Sequence, residues 1–185
     1  RPTEMRVLVT AAGAGPGTAI VKAIARGAAG MSEVPRFVVA VDMGADAAGL
    51  YLGDAGELVP AAKDPTYVDR ILDVCRKHRV NMVIPIFDLE TPVFARARER
   101  FLAEGIHLAL NPLACVEDAN DKVRSFEVCE RAGVRQPERW ARPSDAPASA
   151  FPLLGKPTKG VGSKDMVLLE DATSPIPAGT PVDII

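Results

Sequence analysis

The stretch "LVTAAGAGPGTAIVKAI" (Leu8–Ile24) decides the fold, because it joins a strand, a glycine-rich turn and a helix without interruption. Before the turn the residues are continuously apolar, and after it apolar residues recur at helical spacing, which predicts a helix over Pro16–Arg26. A strand that enters a helix through a glycine turn is the repeating unit of parallel sheets. The sequence therefore predicts an α/β fold whose first strand is "MRVLVT".

More units of the same kind follow along the chain. The strands predicted next are "RFVVAVD", "NMVIPIFD" and "IHLAL", and the helices between them are "PTYVDRILDVCRKHRV" and "LETPVFARARERFLAEG". Runs such as "FVVAV" and "MVIPI" are almost entirely apolar, which is typical of strands covered by helices on both faces. We therefore predict a Rossmann-like open parallel sheet, forming a first domain over residues 1–112.

The pattern changes after "NPLACVEDANDK". A helix in "DKVRSFEVCERAG" leads through the Pro/Ala-rich connection "VRQPERWARPSDAPASA" to two predicted strands, "FPLLGKP" and "KDMVLLE". This is the start of an α+β unit, which we place in a second domain over residues 113–185. The final "PVDII" is similar to an internal strand that has been cut, so we expect the second unit to be incomplete, through truncation, splitting or missing parts.

Composition excludes several classes of function. A net charge of −2 gives no electrostatic reason to expect a nucleic-acid partner. No apolar run approaches the roughly 20 residues that span a bilayer, so no membrane partner is expected. Three scattered cysteines without CxxC spacing predict neither a disulfide framework nor a zinc site. A reducing cytoplasm is the expected compartment, and no metal-binding residue is assigned.

The first glycine turn leaves two interpretations open. Its three glycines, in G-x-G-x-G spacing, are Gly13, Gly15 and Gly17. Dinucleotide sites use G-x-G-x-x-G, but here Thr18 takes the place of the third glycine and Pro16 removes an N–H donor. Asp42, at the end of the second strand, could bind a ribose. The turn is therefore either the site of an NAD(P)-binding oxidoreductase or epimerase, or a corner that only joins strand to helix.

A second glycine-rich stretch, "FPLLGKPTKGVGSKDMV", competes for a phosphate-binding role. It places Lys156 at the end of a strand and continues into a loop with Lys159, Gly160, Gly162 and Ser163. Glycines allow a loop to fold over a triphosphate with its N–H groups inward, and a lysine supplies a positive charge for phosphate oxygens. The alternative is an ordinary hairpin with solvated lysines.

Two carboxylates follow the strand "NMVIPIFD" at the edge where open α/β sheets bind ligands. Asp88 and Glu90 could hold the amino group of a substrate there. The alternative is that Asp88 caps the following helix. Further along, Asn120 or Asp121 is a natural N-cap for the helix that begins near Lys122.

Taken in order, these segments resemble the ATP-grasp superfamily, and most of all its carbamoyl-phosphate-synthase-like carboxylate–amine ligases. "VLVTAAGAGPGTAIVKAI" and "VNMVIPIFDLETPVFARARERF" resemble the pre-ATP-grasp domain of that family. The resemblance continues through "NDK", Gly133, Pro137, Phe151-Pro152, Lys156-Pro157 and the loop Lys159–Ser163. One departure is Gly155, where the family usually has a β-branched or apolar residue.

The resemblance implies an ATP-dependent, C–N-forming ligase that activates a carboxylate as an acylphosphate for attack by an amine. Lys122 and Lys156 would contact the phosphates of ATP, and Lys159 and the loop with Gly160, Gly162 and Ser163 would close over them. The turn with Gly13, Gly15 and Gly17 would face the acceptor or carboxylate instead. Mg²⁺ is the implied second cofactor, with ligands expected beyond the end of this chain. The implied partners are small-molecule carboxylate and amine substrates, with a homodimer possible.

A third class of function also remains open. The chain could be a non-catalytic nucleotide-binding or interaction fragment, because the expected magnesium ligands are absent from these residues.

Overall fold

The structure, a computed structural model, describes residues 5–27, 36–159, 165–176 and 182–185. It divides into two compact units, Arg1–Leu113 and Ala114–Ile185. Within the described ranges, every helix is too short or too polar to cross a membrane.

The first unit is a five-stranded sheet in the order β3-β2-β1-β4-β5, with every neighbouring pair parallel. Its strands are β1 (Met5–Val9), β2 (Arg36–Asp42), β3 (Ala55–Leu58), β4 (Met82–Ile84) and β5 (His107–Leu108). Its helices are α1 (Gly15–Arg26), α2 (Tyr67–His78), α3 (Thr91–Arg96) and α4 (Arg98–Ala103). The predicted α/β class with an open parallel sheet is confirmed.

Both faces of the central strands are buried, which explains their continuous apolar sequence. Leu8 and Val39 lie in one core cluster with Ile71 of α2, whereas Val7 and Val38 lie in another with Val21, Ile20 and Ile24 of α1. Successive strand residues point to opposite faces, so a strand covered twice needs apolar residues at every position.

Two elements of this unit differ from the sequence prediction. The single helix expected in "LETPVFARARERFLAEG" is two helices, α3 and α4, which meet at Ala97 with φ −89° and ψ 4°. Strand β3 was not predicted, because "AGEL" contains a glycine and has no apolar run. It forms by backbone pairing with β2, from Val39↔Ala55 to Asp42↔Leu58.

The second unit is α+β, as predicted. It contains α5 (Leu113–Ala119), which begins at the boundary, α6 (Lys122–Arg131) and the strands β6 (Leu153–Pro157), β7 (Val167–Leu169) and β8 (Val182–Ile184). The strands form an antiparallel sheet in the order β7-β6-β8. Leu153, Leu169 and Ile184 form its core, and the side chain of Trp140 packs against them.

The turn between β1 and α1 depends on Gly17, which is buried. A Cβ at this position would lie 2.1 Å from the carbonyl oxygen of Ala11, far inside van der Waals contact. Gly17 therefore allows the close helix–strand packing that the third glycine of a dinucleotide motif provides, one residue earlier than in that motif. Thr18 instead uses its hydroxyl, which donates to the Ala12 carbonyl at 2.6 Å.

We expect Gly17→Ala to destabilise the protein by about 3 kcal/mol, because the added methyl group meets backbone atoms that cannot move aside. Gly15→Ala is the matched control. It adds the same methyl group two residues away, where nothing lies within 4 Å, and should stay within about 0.5 kcal/mol of wild type. Urea denaturation measures both, and equal stabilities of the two variants would contradict this account of the turn.

Candidate functional site

The carboxyl edge of the parallel sheet is the first candidate region. Strands β1 and β4 are neighbours with Val9 opposite Ile84, so the glycine turn after β1 and the loop after β4 emerge side by side. Gly13 and Gly15 are exposed on this edge, whereas Gly17 is buried in the corner behind it. Open α/β sheets bind ligands at this edge.

Asp42 ties the glycine turn to the end of β2. Its Oδ2 accepts a hydrogen bond from the Gly13 N–H at 2.7 Å, and its Oδ1 accepts one from the Gly44 N–H at 2.9 Å. The amide of the first glycine of the turn is thus paired with a carboxylate of the protein. The oxygens of Asp42, which could bind a ribose in the NAD(P)-binding interpretation, are used here within the protein.

The rest of the turn is held by backbone hydrogen bonds. Ala12 donates its N–H to Val41 at 3.1 Å and accepts the Gly49 N–H at 3.2 Å, and the Ala14 N–H donates to Ala11 at 2.9 Å. These bonds connect the turn to β2 and to the segment after it. The turn is therefore a fixed part of the fold and needs no ligand to form.

Glu90 lies beneath the edge, with only 3% of its surface exposed. Its Oε1 accepts the N–H groups of Ile86 and Phe87, both at 2.9 Å, and the hydroxyl of Thr10. Its Oε2 accepts the hydroxyl of Tyr67 at 2.5 Å. A buried carboxylate needs such donors to offset its loss of hydration. The geometry gives Glu90 a positioning role, in which it holds the loop after β4 and does not reach the surface.

Asp88 and Phe87 lie on the surface of that loop, and both are exposed. Helix α3 begins at Thr91 with Glu90 in the N-cap position, two residues after Asp88. The backbone carbonyl of Asp88 accepts the Thr91 hydroxyl at 3.0 Å, which fixes its place in the loop. Asp88 stays a candidate for contact with a substrate.

The sequence did not reveal Thr10 and Tyr67 as partners of Glu90. Thr10 stands at the end of an apolar strand, and Tyr67 was assigned to the apolar face of its helix. Both are buried, at 0% and 3% exposure, and both use their hydroxyl groups on the same carboxylate. Only the fold brings these three residues together.

The second candidate region lies in the second unit, at the start of α6. Asp121 is the N-cap: its Oδ1 accepts the N–H groups of Val123 at 3.1 Å and Arg124 at 3.3 Å, which confirms one of the two predicted caps. The Lys122 N–H donates to the carbonyl of Thr158 at 3.0 Å. The start of α6 therefore meets the end of β6. Lys156 lies on β6, two residues before Thr158.

Lys159 lies at the same place. Its Nζ is 3.7 Å from Oδ2 of Asp121, although 77% of its side chain is exposed, so this ion pair is weak. Lys122 and Lys156 are both half-buried. Gly160, Gly162 and Ser163 lie outside the described residues, as does the loop that they were predicted to form.

The unusual Gly155 fits its neighbour on β7. A Cβ at this buried position would lie 2.7 Å from Cγ2 of Val167. The methyl group of Val167 therefore occupies the space that a larger side chain on β6 would need. The strand next to Lys156 is therefore packed by the side chain of Val167 on β7, and not by a side chain at residue 155.

Comparison with known proteins places the chain in a family. Residues 7–109, more than half of the chain, match the family described as "PylC-like, N-terminal domain". The chain belongs to this family. The match covers the parallel sheet with its glycine turn and the loop that ends at Glu90.

Known proteins share part of the sequence or the fold of this chain. The carbamoyl phosphate synthase large chain of Thermus thermophilus is 27% identical over 115 residues, which cover 58% of this chain and 11% of that protein. The biotin carboxylase domain of 2-oxoglutarate carboxylase from Hydrogenobacter thermophilus, solved as a dimer with MgADP, ADP and bicarbonate, has a TM-score of 0.66 at 17% identity. N5-carboxyaminoimidazole synthetase from Staphylococcus aureus, solved with ADP, has a TM-score of 0.69 at 13% identity.

The two solved structures match all of this chain, which spans 44% and 48% of their lengths. They show a shared fold across both units. Together with the family match and the Thermus relative, they confirm the resemblance to carbamoyl-phosphate-synthase-like members of the ATP-grasp superfamily.

Tyr67 provides a test of the Glu90 network through pH. Burial, followed by the charge and the hydrogen bond of Glu90, raises the pKa of the Tyr67 phenol well above its usual value of 10.0. The folded protein therefore keeps this proton at a pH where the unfolded chain loses it, so the free energy of unfolding falls as the pH rises above about 10. The contribution from Tyr67 approaches about 1.4 kcal/mol for each pH unit.

We expect Tyr67→Phe to lose this alkaline component, and at neutral pH to be about 1–3 kcal/mol less stable, because Oε2 of Glu90 loses a donor. The control is Tyr51→Phe, which alters a tyrosine that is 74% exposed and should keep the wild-type pH dependence. Urea denaturation at several values between about pH 8 and about pH 11 measures the difference. Parallel curves for the two variants would show that the Tyr67 phenol is not held by Glu90.

Proposed function

We propose that this chain is part of an ATP-dependent, C–N-forming ligase of the ATP-grasp type. A carboxylate oxygen of one substrate attacks the γ-phosphorus of ATP, which forms an acylphosphate and releases ADP. The nitrogen of an amine then attacks the acyl carbon, and phosphate leaves. Family membership and the arrangement of lysines in the second unit support this proposal.

The hydrogen bond from the Lys122 N–H to the Thr158 carbonyl carries the proposal. It joins the first residue of a capped helix to the end of a strand, and so gathers two half-buried lysines, Lys122 and Lys156, in one part of the unit. Two lysines gathered in one part of the unit favour a polyanion such as a triphosphate.

In this proposal Lys122 and Lys156 bind phosphate oxygens and neutralise the charge that shifts during phosphoryl transfer. Lys159, which is exposed, exchanges its weak contact with Asp121 for a phosphate oxygen. The segment with Gly160, Gly162 and Ser163 covers the phosphates. The protein thus acts by positioning and by charge, without a covalent intermediate on its own side chains.

Magnesium would accompany ATP and help to neutralise its phosphates. Among the described residues, no group of three or more His, Cys, Asp or Glu side chains is placed to hold a metal ion. We therefore assign no magnesium ligand to this part of the chain, and no step of the proposal depends on one here.

The carboxyl edge of the first unit is proposed to bind the small-molecule carboxylate or amine. Gly13 and Gly15 let the substrate approach the backbone, and Asp88 is placed to contact an amino group. Gly17 and Glu90 are buried and shape the edge from below. A homodimer and a cytoplasmic compartment complete the proposal.

We expect Lys156→Ala to weaken binding of Mg·ATP about 10- to 100-fold, because a charge-assisted contact with phosphate is worth about 1.5–3 kcal/mol. Isothermal titration calorimetry of the intact gene product measures the affinity. Lys122→Ala should have a comparable effect.

Lys63→Ala is the control, because it removes the same charge from an exposed position in the first unit. It should bind Mg·ATP as wild type does. Equal affinities of the Lys156 and Lys63 variants would remove Lys156 from the phosphate site, and an intact gene product that binds no Mg·ATP would refute the proposed function itself.

A further inference from the structure

The glycine turn of the first unit is occupied by a carboxylate of the same chain. Asp42 ends β2, one strand away from the turn, and its two oxygens accept the N–H groups of Gly13 at 2.7 Å and Gly44 at 2.9 Å. Two amides on opposite sides fix the orientation of the carboxylate. The protein thus supplies its own anion to the first glycine of the turn.

Several groups of the turn are not available to a second anion. Phosphates bind at glycine turns because N–H groups at the start of a helix point toward them. Here the Gly13 N–H is paired with Asp42, the Ala14 N–H donates to Ala11 at 2.9 Å, and Pro16 has no N–H. A phosphate oxygen that approached Gly13 would therefore meet Oδ2 of Asp42, which carries charge of the same sign.

The surroundings of Asp42 are closely packed. Asp46 lies beside the same loop, since its Oδ1 would be 2.8 Å from a Cβ at Gly44. The position of Gly13 is confined as well, because a Cβ there would lie 2.9 Å from the Ala47 side chain and 3.2 Å from Oδ2 of Asp42. The turn is closely packed against this acidic loop.

We infer that Asp42 is a specificity-determining residue that closes the first glycine of the turn to phosphate groups, so that the part of the substrate held against Gly13 carries no phosphate. The inference about the substrate rests on the proposed function, since it concerns the acceptor or carboxylate of the ligase reaction. The exclusion of phosphate from Gly13 stands on the geometry of Asp42 alone.

The test is a titration with inorganic phosphate, followed by NMR at the backbone amides of Gly13 and Gly15. Asp42→Ala frees the Gly13 N–H and removes the charge, whereas Asp42→Asn removes the charge and keeps an acceptor oxygen. Asp46→Asn is the control, because it removes the same charge from the same loop without freeing Gly13. We expect saturable shifts in Asp42→Ala at an affinity at least about tenfold above wild type and Asp46→Asn, with Asp42→Asn between them.

Two results would overturn the inference. One is a saturable shift at Gly13 in the wild-type protein at the affinity of Asp42→Ala. The other is that Asp42→Asn and Asp46→Asn show equal amide shifts and Asp42→Ala gains no affinity for inorganic phosphate. The dispersion of the amide spectrum reports whether each variant is folded, and Asp42→Asn, which retains an acceptor, provides the reading if Asp42→Ala does not fold.

Mg·ATP binding by the same variants separates this inference from the proposed function. Asp42 and Asp46 are not among the residues proposed to bind the phosphates, so we expect the affinity for Mg·ATP to be unchanged in all three variants. If Asp42→Ala binds phosphate no more tightly than wild type while Mg·ATP binding is intact, only the role of Asp42 is refuted. Absence of Mg·ATP binding with the phosphate effect present would refute only the ligase.

Discussion

The carboxylate of Glu90 joins three segments of the first unit that are far apart in sequence: the end of β1, the start of α2 and the loop after β4. Four donors converge on its two oxygens, and the group is almost wholly buried. Loss of any donor would leave a buried charge underpaired, which is costly in a low-dielectric interior. The loop after β4, the end of β1 and the start of α2 are therefore held by the same side chain.

Much of the fold could be predicted from the sequence, because the parallel strands carry a strong local signal. Strands buried on both faces must be apolar throughout, and the glycine turn marks the corner into α1. Strand β3 lacked that signal, since its pairing with β2 depends on the backbone. The break at Ala97 between α3 and α4 was equally invisible, because the residues on both sides favour a helix.

The candidate site residues also differ in whether the sequence alone could reveal their contacts. Asp121 could be predicted as a cap because capping depends on residues within one turn of helix. For Glu90 the sequence indicates only a carboxylate at the carboxyl edge. It cannot show the hydrogen bonds of Glu90, because its partners Thr10 and Tyr67 lie 80 and 23 residues away. The position of Asp42 at the end of a strand indicates a ribose ligand. Sequence spacing cannot show that its oxygens face two amides of the protein. Local chemistry can be read from sequence, whereas the pairing of distant polar groups requires the fold.

Gly155 and Val167 occupy adjacent strands and share one volume. A side chain can therefore fill that volume from β6 or from β7, but not from both. Among homologous sequences, a β-branched residue at the position of Gly155 should be accompanied by alanine or glycine at the position of Val167. The two sites would then evolve as a pair, and their covariation would record which strand supplies the packing beside Lys156.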